Sequence, residues 1–282
     1  GESRLEYLLG EAAAQAREAL EPFGYYSADV QVQANRTGDA ENERVEVVIR
    51  VSKGEPVRVR RSSLSIEGEG GGDRYLKEDL AAFAPRTGEI FDHTTYEASK
   101  LKIVRRLADR GYFDADFTQR RVEVTRAEHA ADIDLAWVSG IRYDMGPTTF
   151  HQTKFEPGLL DKLVYWDEGS YFHQGKLDRL RESLVGLDYF SNIDIQANPD
   201  KAVDGRVPID VNLSLAKRTI YTAGVSYGSE SGAGIRMGVD RRYLNSRGHK
   251  LSTQLDYAQN RKTLLTQYRI PAFKWLDGWY TL

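Results

Sequence analysis

One seven-residue pattern occurs three times in this chain, and its spacing constrains the fold more than any other feature. The copies read Gly24-Tyr25-Tyr26-Ser27-Ala28-Asp29-Val30, Gly111-Tyr112-Phe113-Asp114-Ala115-Asp116-Phe117 and, less closely, Asp188-Tyr189-Phe190-Ser191-Asn192-Ile193-Asp194. Starts at 24, 111 and 188 give intervals of 87 and 77 residues, the size of a small domain rather than of a solenoid repeat. The context repeats too. A helical pattern precedes each copy, over residues 9–20, 96–107 and 177–187. In the second, Leu101, Val104 and Leu107 recur every three residues and predict one buried helix stripe. An alternating run follows each copy: Val45-Glu46-Val47-Val48-Ile49-Arg50-Val51, Ile133-Asp134-Leu135-Ala136-Trp137 and Ile209-Asp210-Val211-Asn212-Leu213-Ser214-Leu215. Period two predicts a strand with one face on a core. Turn formers such as Arg36-Thr37-Gly38-Asp39 and Pro199-Asp200-Lys201 separate motif from run.

Copies two and three carry more in front. Val57-Arg58-Val59-Arg60 leads through Leu64-Ser65-Ile66 and a Gly-rich turn to a helix around Tyr75-Leu76-Lys77-Glu78-Asp79-Leu80. Ile141-Arg142-Tyr143 leads through Phe150 to a helix expected at Leu159, Leu160, Leu163 and Val164. Each first helix is followed by a Gly-containing loop with an aromatic, Gly88-Glu89-Ile90-Phe91 or Gly169-Ser170-Tyr171-Phe172. Tyr96 to Gly111 is 15 residues and Leu177 to Asp188 is 11. The difference is about one helical turn, which shortens a helix without rotating its apolar face. The unit is β-α-α-β-β, and the first copy has only its C-terminal part. Gly24 and Gly111 sit just past a helix, where the backbone turns left-handed at no cost to glycine. The aromatics Tyr25, Tyr112 with Phe113, and Tyr189 with Phe190 open the next strand and pin it to the helix. Asp188 keeps a turn-compatible residue at some conformational cost.

From Lys217 onward helical periodicity disappears. Tyr221, Ala223, Val225 and Tyr227 alternate with small or polar residues, as do Ile235, Met237 and Val239. Leu251, Thr253, Leu255 and Tyr257 do the same, then Leu264, Thr266, Tyr268 and Ile270. Four consecutive strands of roughly ten residues match the length of a tilted membrane strand. Turn formers join them at Ser229-Glu230-Ser231-Gly232, Asn245-Ser246-Arg247-Gly248 and Gln259-Asn260-Arg261. A soluble antiparallel sheet with one face on a core has the same alternation. Four strands cannot close a barrel, and a fifth begins at Trp279-Tyr280-Thr281-Leu282.

Composition narrows the function classes. Lys and Arg number 39 against 42 Asp and Glu, a formal charge of −3, which argues against a nucleic-acid partner. Zero cysteines exclude disulfides and thiol catalysis. The histidines, at 93, 129, 151, 173 and 249, have no metal-ligand spacing, so no metal or cofactor is expected. Gly68-Glu69-Gly70-Gly71-Gly72-Asp73 lacks the Lys-Ser/Thr ending of a phosphate loop and reads as a flexible loop before a helix. Gly228 to Gly234 reads as a hairpin turn. Asp132 and Asp134 alternate onto the solvated face of their strand. Trp137, Trp166, Trp275 and Trp279 read as core or membrane-interface anchors. Lys100, Lys102, Arg105, Arg106 and Arg110 form a basic helix face. No nucleophile with a neighbouring base is identifiable, and a non-enzyme is expected.

Repeated β-α-α-β-β units with Gly-Tyr-Phe motifs, feeding into alternating strands, resemble the Omp85 superfamily. The resemblance rests on Arg110-Gly111-Tyr112-Phe113-Asp114-Ala115-Asp116-Phe117-Thr118, Gly224-Val225-Ser226-Tyr227-Gly228-Ser229, Leu244-Asn245-Ser246-Arg247-Gly248-His249 and Tyr268-Arg269-Ile270-Pro271. It is strongest for the branch with three POTRA domains before an outer-membrane barrel. It implies an α+β fold with tandem POTRA domains followed by the first antiparallel strands of a transmembrane β-barrel. The expected divisions are 1–53 (C-terminal part of POTRA 1), 54–139 (POTRA 2), 140–217 (POTRA 3) and 218–282 (the first four to five barrel strands). It implies a bacterial outer-membrane location with POTRA domains in the periplasm. The implied function is assembly or translocation of outer-membrane and autotransporter clients, with a TamB-like inner-membrane-anchored partner and outer-membrane lipid around the barrel. By resemblance, the second strand of each unit is the edge that accepts a client by β-augmentation. Those strands lie at 28–34, 115–124 and 191–197, with Val30, Val32, Asp116, Thr118, Arg120, Ile193 and Ile195 as candidate contact positions. A BamA-like general barrel assembly subunit, a two-partner secretion transporter and an Omp85-type protein with a hydrolase domain outside this sequence are the alternatives.

Overall fold

The computed structural model describes residues 2–38, 44–273 and 278–282; Asp39 of the first expected turn and Trp275 lie outside the described residues. In chain order the elements are α1 (Glu2–Leu20), β1 (Asp29–Thr37), β2 (Arg44–Ser52), β3 (Arg58–Glu67), α2 (Arg74–Ala81), α3 (His93–Asp109), β4 (Asp116–Thr125) and β5 (Ala130–Val138). They continue with β6 (Asp144–His151), α4 (Gln174–Gly186), β7 (Phe190–Ala197), β8 (Arg206–Leu215), β9 (Thr219–Gly228), β10 (Gly232–Arg241), β11 (Lys250–Ala258), β12 (Lys262–Pro271) and β13 (Trp279–Thr281). The chain divides into two compact units, Gly1–Ala108 with Tyr112–Ile141, and Asp109–Gly111 with Arg142–Leu282.

In the first unit α1 packs on the antiparallel hairpin β1–β2, and a second sheet has the order β3-β5-β4. β3 runs parallel to β5, β4 antiparallel to it. The central strand explains the fold. Ala131, Ile133, Leu135 and Trp137 alternate onto one face and are all buried, packed with Tyr96, Ile103 and Leu107 of α3, Leu76 of α2, and Phe83 and Phe91. Asp132 and Asp134 fall on the other face, where they bind arginines of β3: Arg60 Nη2 lies 2.6 Å from Asp132 and Arg61 Nη2 3.0 Å from Asp134.

The α3 stripe differs from the one expected. Leu107 is buried, but Leu101 and Val104 are 45% and 38% exposed. Three residues turn a helix through 300°, so each step of three falls about 60° short of a full turn. By Leu101 the line has rotated away from the core, and the buried line runs instead through Tyr96, Ile103 and Leu107. The glycine-rich turn before α2 is also more ordered than expected. It is a short 3-10 turn over Glu69–Gly72, with Gly70 buried and its N–H donating to Ser139 Oγ at 2.8 Å. Asp73 then caps α2, accepting from Tyr75 N at 3.0 Å and from the Tyr112 hydroxyl at 2.9 Å.

The second unit repeats the scheme as β6-β8-β7, with Val207, Ile209 and Val211 of β8 buried, as are Leu177, Leu180 and Leu184 of α4. α4 has 13 residues against 17 in α3, the one-turn difference read from the sequence. The helix expected around Leu159 to Val164 is only a 3-10 turn over Leu160–Leu163. Pro157-Gly158 before it and Asp167-Glu168-Gly169 after it leave too little chain to repay helix nucleation, yet Leu160 and Leu163 still reach the core. The same unit contains the antiparallel five-stranded sheet β13-β12-β11-β10-β9, which is not closed.

One buried charge makes the first unit pH-sensitive. The Asp79 side chain is buried, and Arg106 Nε (2.8 Å) and Lys102 Nζ (3.2 Å) bind it. Burial opposes its ionisation, but the hydrogen bonds from Arg106 and Lys102 outweigh burial and hold its pKa below the usual carboxylate value. A depressed folded-state pKa adds stability that is complete above the unfolded pKa of about 4 and lost as pH falls through the folded value. Asp79→Asn is therefore expected to cost about 2 kcal/mol at pH 7 in urea unfolding and to flatten the acid limb below about pH 4.

Candidate functional site: sheet edges and module joints

A three-stranded sheet has two outer strands. β4 and β7 are outer, as expected, and β1 pairs only with β2. β3 and β6 are outer as well, but β6 carries Pro147 within its bulge, and a proline offers no N–H to an incoming strand. β4 bulges at Thr118 and β7 at Ser191, where each pairing register skips a residue. The candidate contact positions occupy three separate sheets. Val30 and Val32 are on β1, Asp116, Thr118 and Arg120 on β4, and Ile193 and Ile195 on β7. Val30 is buried, Asp116, Thr118 and Arg120 are exposed, and Val32, Ile193 and Ile195 are half-buried.

The repeated motif does more than end a helix. Gly24 and Gly111 have φ of +91° and +87°. The Gly24 carbonyl accepts from Val57 N at 2.7 Å, and the Gly111 carbonyl from Tyr143 N at 2.9 Å. A Cβ on Gly24 would lie 2.7 Å from Ile90 Cγ2 and 3.0 Å from the Phe91 carbonyl; one on Gly111 would lie 2.9 Å from Phe172 Cβ. Each motif glycine thus receives the chain entering the next first strand and seats the Phe of the next Gly-containing loop. Sequence reasoning assigned these glycines to helix ends and missed the docking. The parallel recurrence of Gly88-to-Phe91 and Gly169-to-Phe172 was the available signal. Of the motif aromatics, Tyr25 lies under Lys53 Nζ, 5.4 Å from its ring centre, Tyr112 is buried, and Phe190 packs edge-on against Phe155.

At the third copy the neighbour is the five-stranded sheet. Asp188 adopts φ of +54°, and its carboxylate accepts from Arg242 Nε at 3.1 Å. Tyr189 is fully buried, stacked on Phe155 at 4.6 Å between ring centres, and its hydroxyl donates to the Gly248 carbonyl. Burial pushes the Tyr189 phenol well above its ordinary pKa, so it stays a donor. The β10–β11 turn is held further by Glu156 N to the Ser246 carbonyl (2.9 Å) and Ser246 Oγ to Glu156 Oε1 (3.0 Å). The departure from glycine thus accompanies a different docking partner.

The strand register sorts the five-stranded sheet into two faces. Ala223, Met237, Leu255 and Leu264 form one cross-strand row, and Val225, Ile235 and Tyr257 the next. Gly224, Arg236 and Asp256 lie on the opposite face, as do Ile220, Asp240, Ser252 and Gln267, with Arg236 Nε 2.5 Å from Asp256 Oδ1. The apolar face is bare: Val225 is 91% exposed, Tyr227 85% and Tyr221 77%. An apolar face left bare beside a polar one is the pattern of a barrel wall rather than of a sheet seated on a core.

The histidines have local roles. His93 Nε2 is 2.5 Å from the Tyr26 hydroxyl, His151 bonds Asp210, His249 bonds Tyr268, His173 caps α4, and His129 holds a left-handed turn. Of the basic α3 face, Lys102 and Arg106 are engaged by Asp79 and Lys100 by Glu97.

Residues 1–52 match the family model described as POTRA domain TamA domain 1, and residues 60–136 match the POTRA model described as a surface antigen variable number repeat. Among solved structures, BamA from Haemophilus ducreyi lacking POTRA domains 1–3 superposes with a TM-score of 0.64 at 18% identity, over 77% of this chain and 40% of that one. BamA POTRA3–5 from Haemophilus influenzae gives 0.45 at 17% identity, over 71% and 79% of the two chains. CdiB from Acinetobacter baumannii gives 0.43 at 13%, over 77% and 42%. The chain thus spans about 40% of the length of the first of these structures. The fold is one of POTRA-like units followed by an open antiparallel sheet that resembles the start of the BamA barrel. Residues 1–52 are thus similar to the first POTRA domain of TamA and residues 60–136 to a POTRA domain, and the chain shares its fold with the BamA structure.

Gly88 separates the two demands on a motif glycine, since its φ is +90° but nothing lies within 4 Å of a Cβ there. Gly88→Ala should cost about 1 kcal/mol in urea unfolding, for the left-handed backbone alone. Gly111→Ala, with the Phe172 contact added, should cost at least about 2 kcal/mol.

Proposed function

We propose that this chain belongs to a non-enzymatic assembly or translocation factor of the bacterial outer membrane, its POTRA units in the periplasm and its barrel strands in the bilayer. The divisions of that reading are 1–53, 54–139 and 140–217 for the POTRA units and 218–282 for the barrel strands. The single observation that carries it is the combination of open second-strand edges with a sheet whose apolar face is bare. An edge offers unpaired N–H and C=O groups at peptide spacing, so an extended client completes the ladder whatever its side chains. Sequence tolerance is what a handler of many clients needs. A TamB-like inner-membrane-anchored protein is the proposed partner and autotransporter-type chains the proposed clients. The TamA-type match over residues 1–52 favours this over a general barrel-assembly or two-partner secretion role.

A short peptide alternating valine with serine is the test ligand, titrated by calorimetry into the detergent-solubilised chain. Proline at Thr118 or at Arg120 removes an edge N–H and is expected to weaken binding by about tenfold in at least one variant. Unchanged affinity in both would contradict the edge mechanism.

A further inference from the structure

The pairing of β11 with β12 sets two cations directly opposite one another. Lys250 lies across from Arg269, and both belong to the polar face of the five-stranded sheet, one row beyond Asp240, Ser252 and Gln267. Like charges in register across a strand pair are destabilising unless a counter-charge reaches them. The chain supplies little. Arg269 Nη2 donates to the neutral Gln267 Oε1 at 3.2 Å. Lys250 Nζ stands over two rings, 5.0 Å from the centre of Tyr189 and 5.3 Å from that of Trp279. Among the described residues, no carboxylate oxygen is hydrogen-bonded or ion-paired to either cation.

The carboxylates nearby are already engaged. Lys250 and Arg269 line a cavity of about 190 Å³ together with Arg241, Arg242, Asp188 and Asp240. Asp188 accepts from Arg242 Nε at 3.1 Å, and Asp240 accepts from the Ser252 hydroxyl. Lys250 is half-buried, so water screens its charge less than that of an exposed lysine, and the two rings attract the ammonium without neutralising it. A group that neutralises the pair needs acceptor oxygens for two kinds of donor, the planar fork of Arg269 and the point charge of Lys250. Phosphate meets both demands, with close to two negative charges at neutral pH and at least three acceptor oxygens, whereas a carboxylate brings one charge and two oxygens. At about 30 Å³ per water, the cavity has room for a group of five heavy atoms.

We propose that Lys250 and Arg269 form a phosphate-binding site on the polar face of the five-stranded sheet, at the strand ends beside the β10–β11 turn, with Arg242 neutralising Asp188 at its rim. The site is independent of the β-augmentation reading. Free phosphate and a phosphomonoester lipid headgroup present the same chemistry, and the test separates them.

The whole chain is titrated by calorimetry in a nonionic detergent at about pH 7.5, where a phosphate is mostly dianionic, with inorganic phosphate as the probe and sodium chloride of matched ionic strength as the control. The unsubstituted chain is expected to bind one phosphate and to show an unfolding midpoint that rises with phosphate but not with chloride. Lys250→Met keeps an aliphatic stem between the two rings, and Arg269→Gln changes an exposed side chain; each should weaken phosphate binding about tenfold or more. Without phosphate, Arg269→Gln should unfold no earlier than the unsubstituted chain, because the opposed charges are relieved. Arg261→Gln, which removes an exposed cation from the far turn, should bind phosphate as before. Dihexanoyl phosphatidic acid binding at least about tenfold tighter than inorganic phosphate assigns the site to a lipid headgroup, and equal or weaker binding assigns it to free phosphate; either upholds the site. No phosphate binding, unchanged binding in both Lys250→Met and Arg269→Gln, an equal loss in Arg261→Gln, or a midpoint shift that chloride reproduces (an adventitious ion only) would overturn it.

Discussion

The packing of one central strand on one helix stripe is the interaction on which the rest depends. In β5 the row Ala131, Ile133, Leu135 and Trp137 is buried against α3, and in β8 Val207, Ile209 and Val211 are buried beside the leucines of α4. A single central strand stabilises these small sheets, so the outer strands need little burial and keep unpaired backbone on one side. Such an edge is ordinarily a hazard, countered by bulges, charges or proline. All three devices are present here, with bulges in β3, β4, β6 and β7, proline in β6, and Arg120, Arg121 and Glu123 along β4. They moderate the edges without covering them.

The motif after each second helix adapts one backbone turn to two kinds of neighbour. Where a further first strand follows, bare glycine lets the incoming backbone and a Phe approach to contact distance. Where the barrel strands follow, Asp188 and Tyr189 reach out to Arg242 and Gly248 with side chains. The left-handed conformation costs a non-glycine residue roughly 1–2 kcal/mol, and the charged hydrogen bond to Arg242 offsets part of it. The Tyr189 ring, closed in by Phe155 and by Lys250 at 5.0 Å, makes the β10–β11 turn part of the same packed unit.

Much of this was legible in the sequence because it is written in periods. Strand alternation gave the central strands and both faces of the five-stranded sheet, since a pleat allows only two directions. The missing helical turn of α4 was readable as a four-residue deficit. What period could not resolve was the phase of α3, where an interval of three mimics a helix stripe but drifts off the core. Nor could it show that Leu159 to Val164 are too short a stretch to nucleate a helix, or that the glycines near 70 are packed. Those depend on neighbours distant in sequence, Ser139 and Tyr112 among them. The candidate strands are outer strands of their sheets, but the bonds from Arg17 of α1 and Arg181 of α4 to the Val30 and Ile193 carbonyls became visible only once helix and strand were set side by side.

Amide hydrogen exchange with and without bound client tests the central claim most directly, because it reads the backbone groups that augmentation would pair. Addition of the alternating peptide should slow exchange along β4, where amides face no partner on the outer side, and leave the already paired β5 amides unchanged. Protection confined to β9–β13, with β4 exchanging as fast as before, would contradict the account.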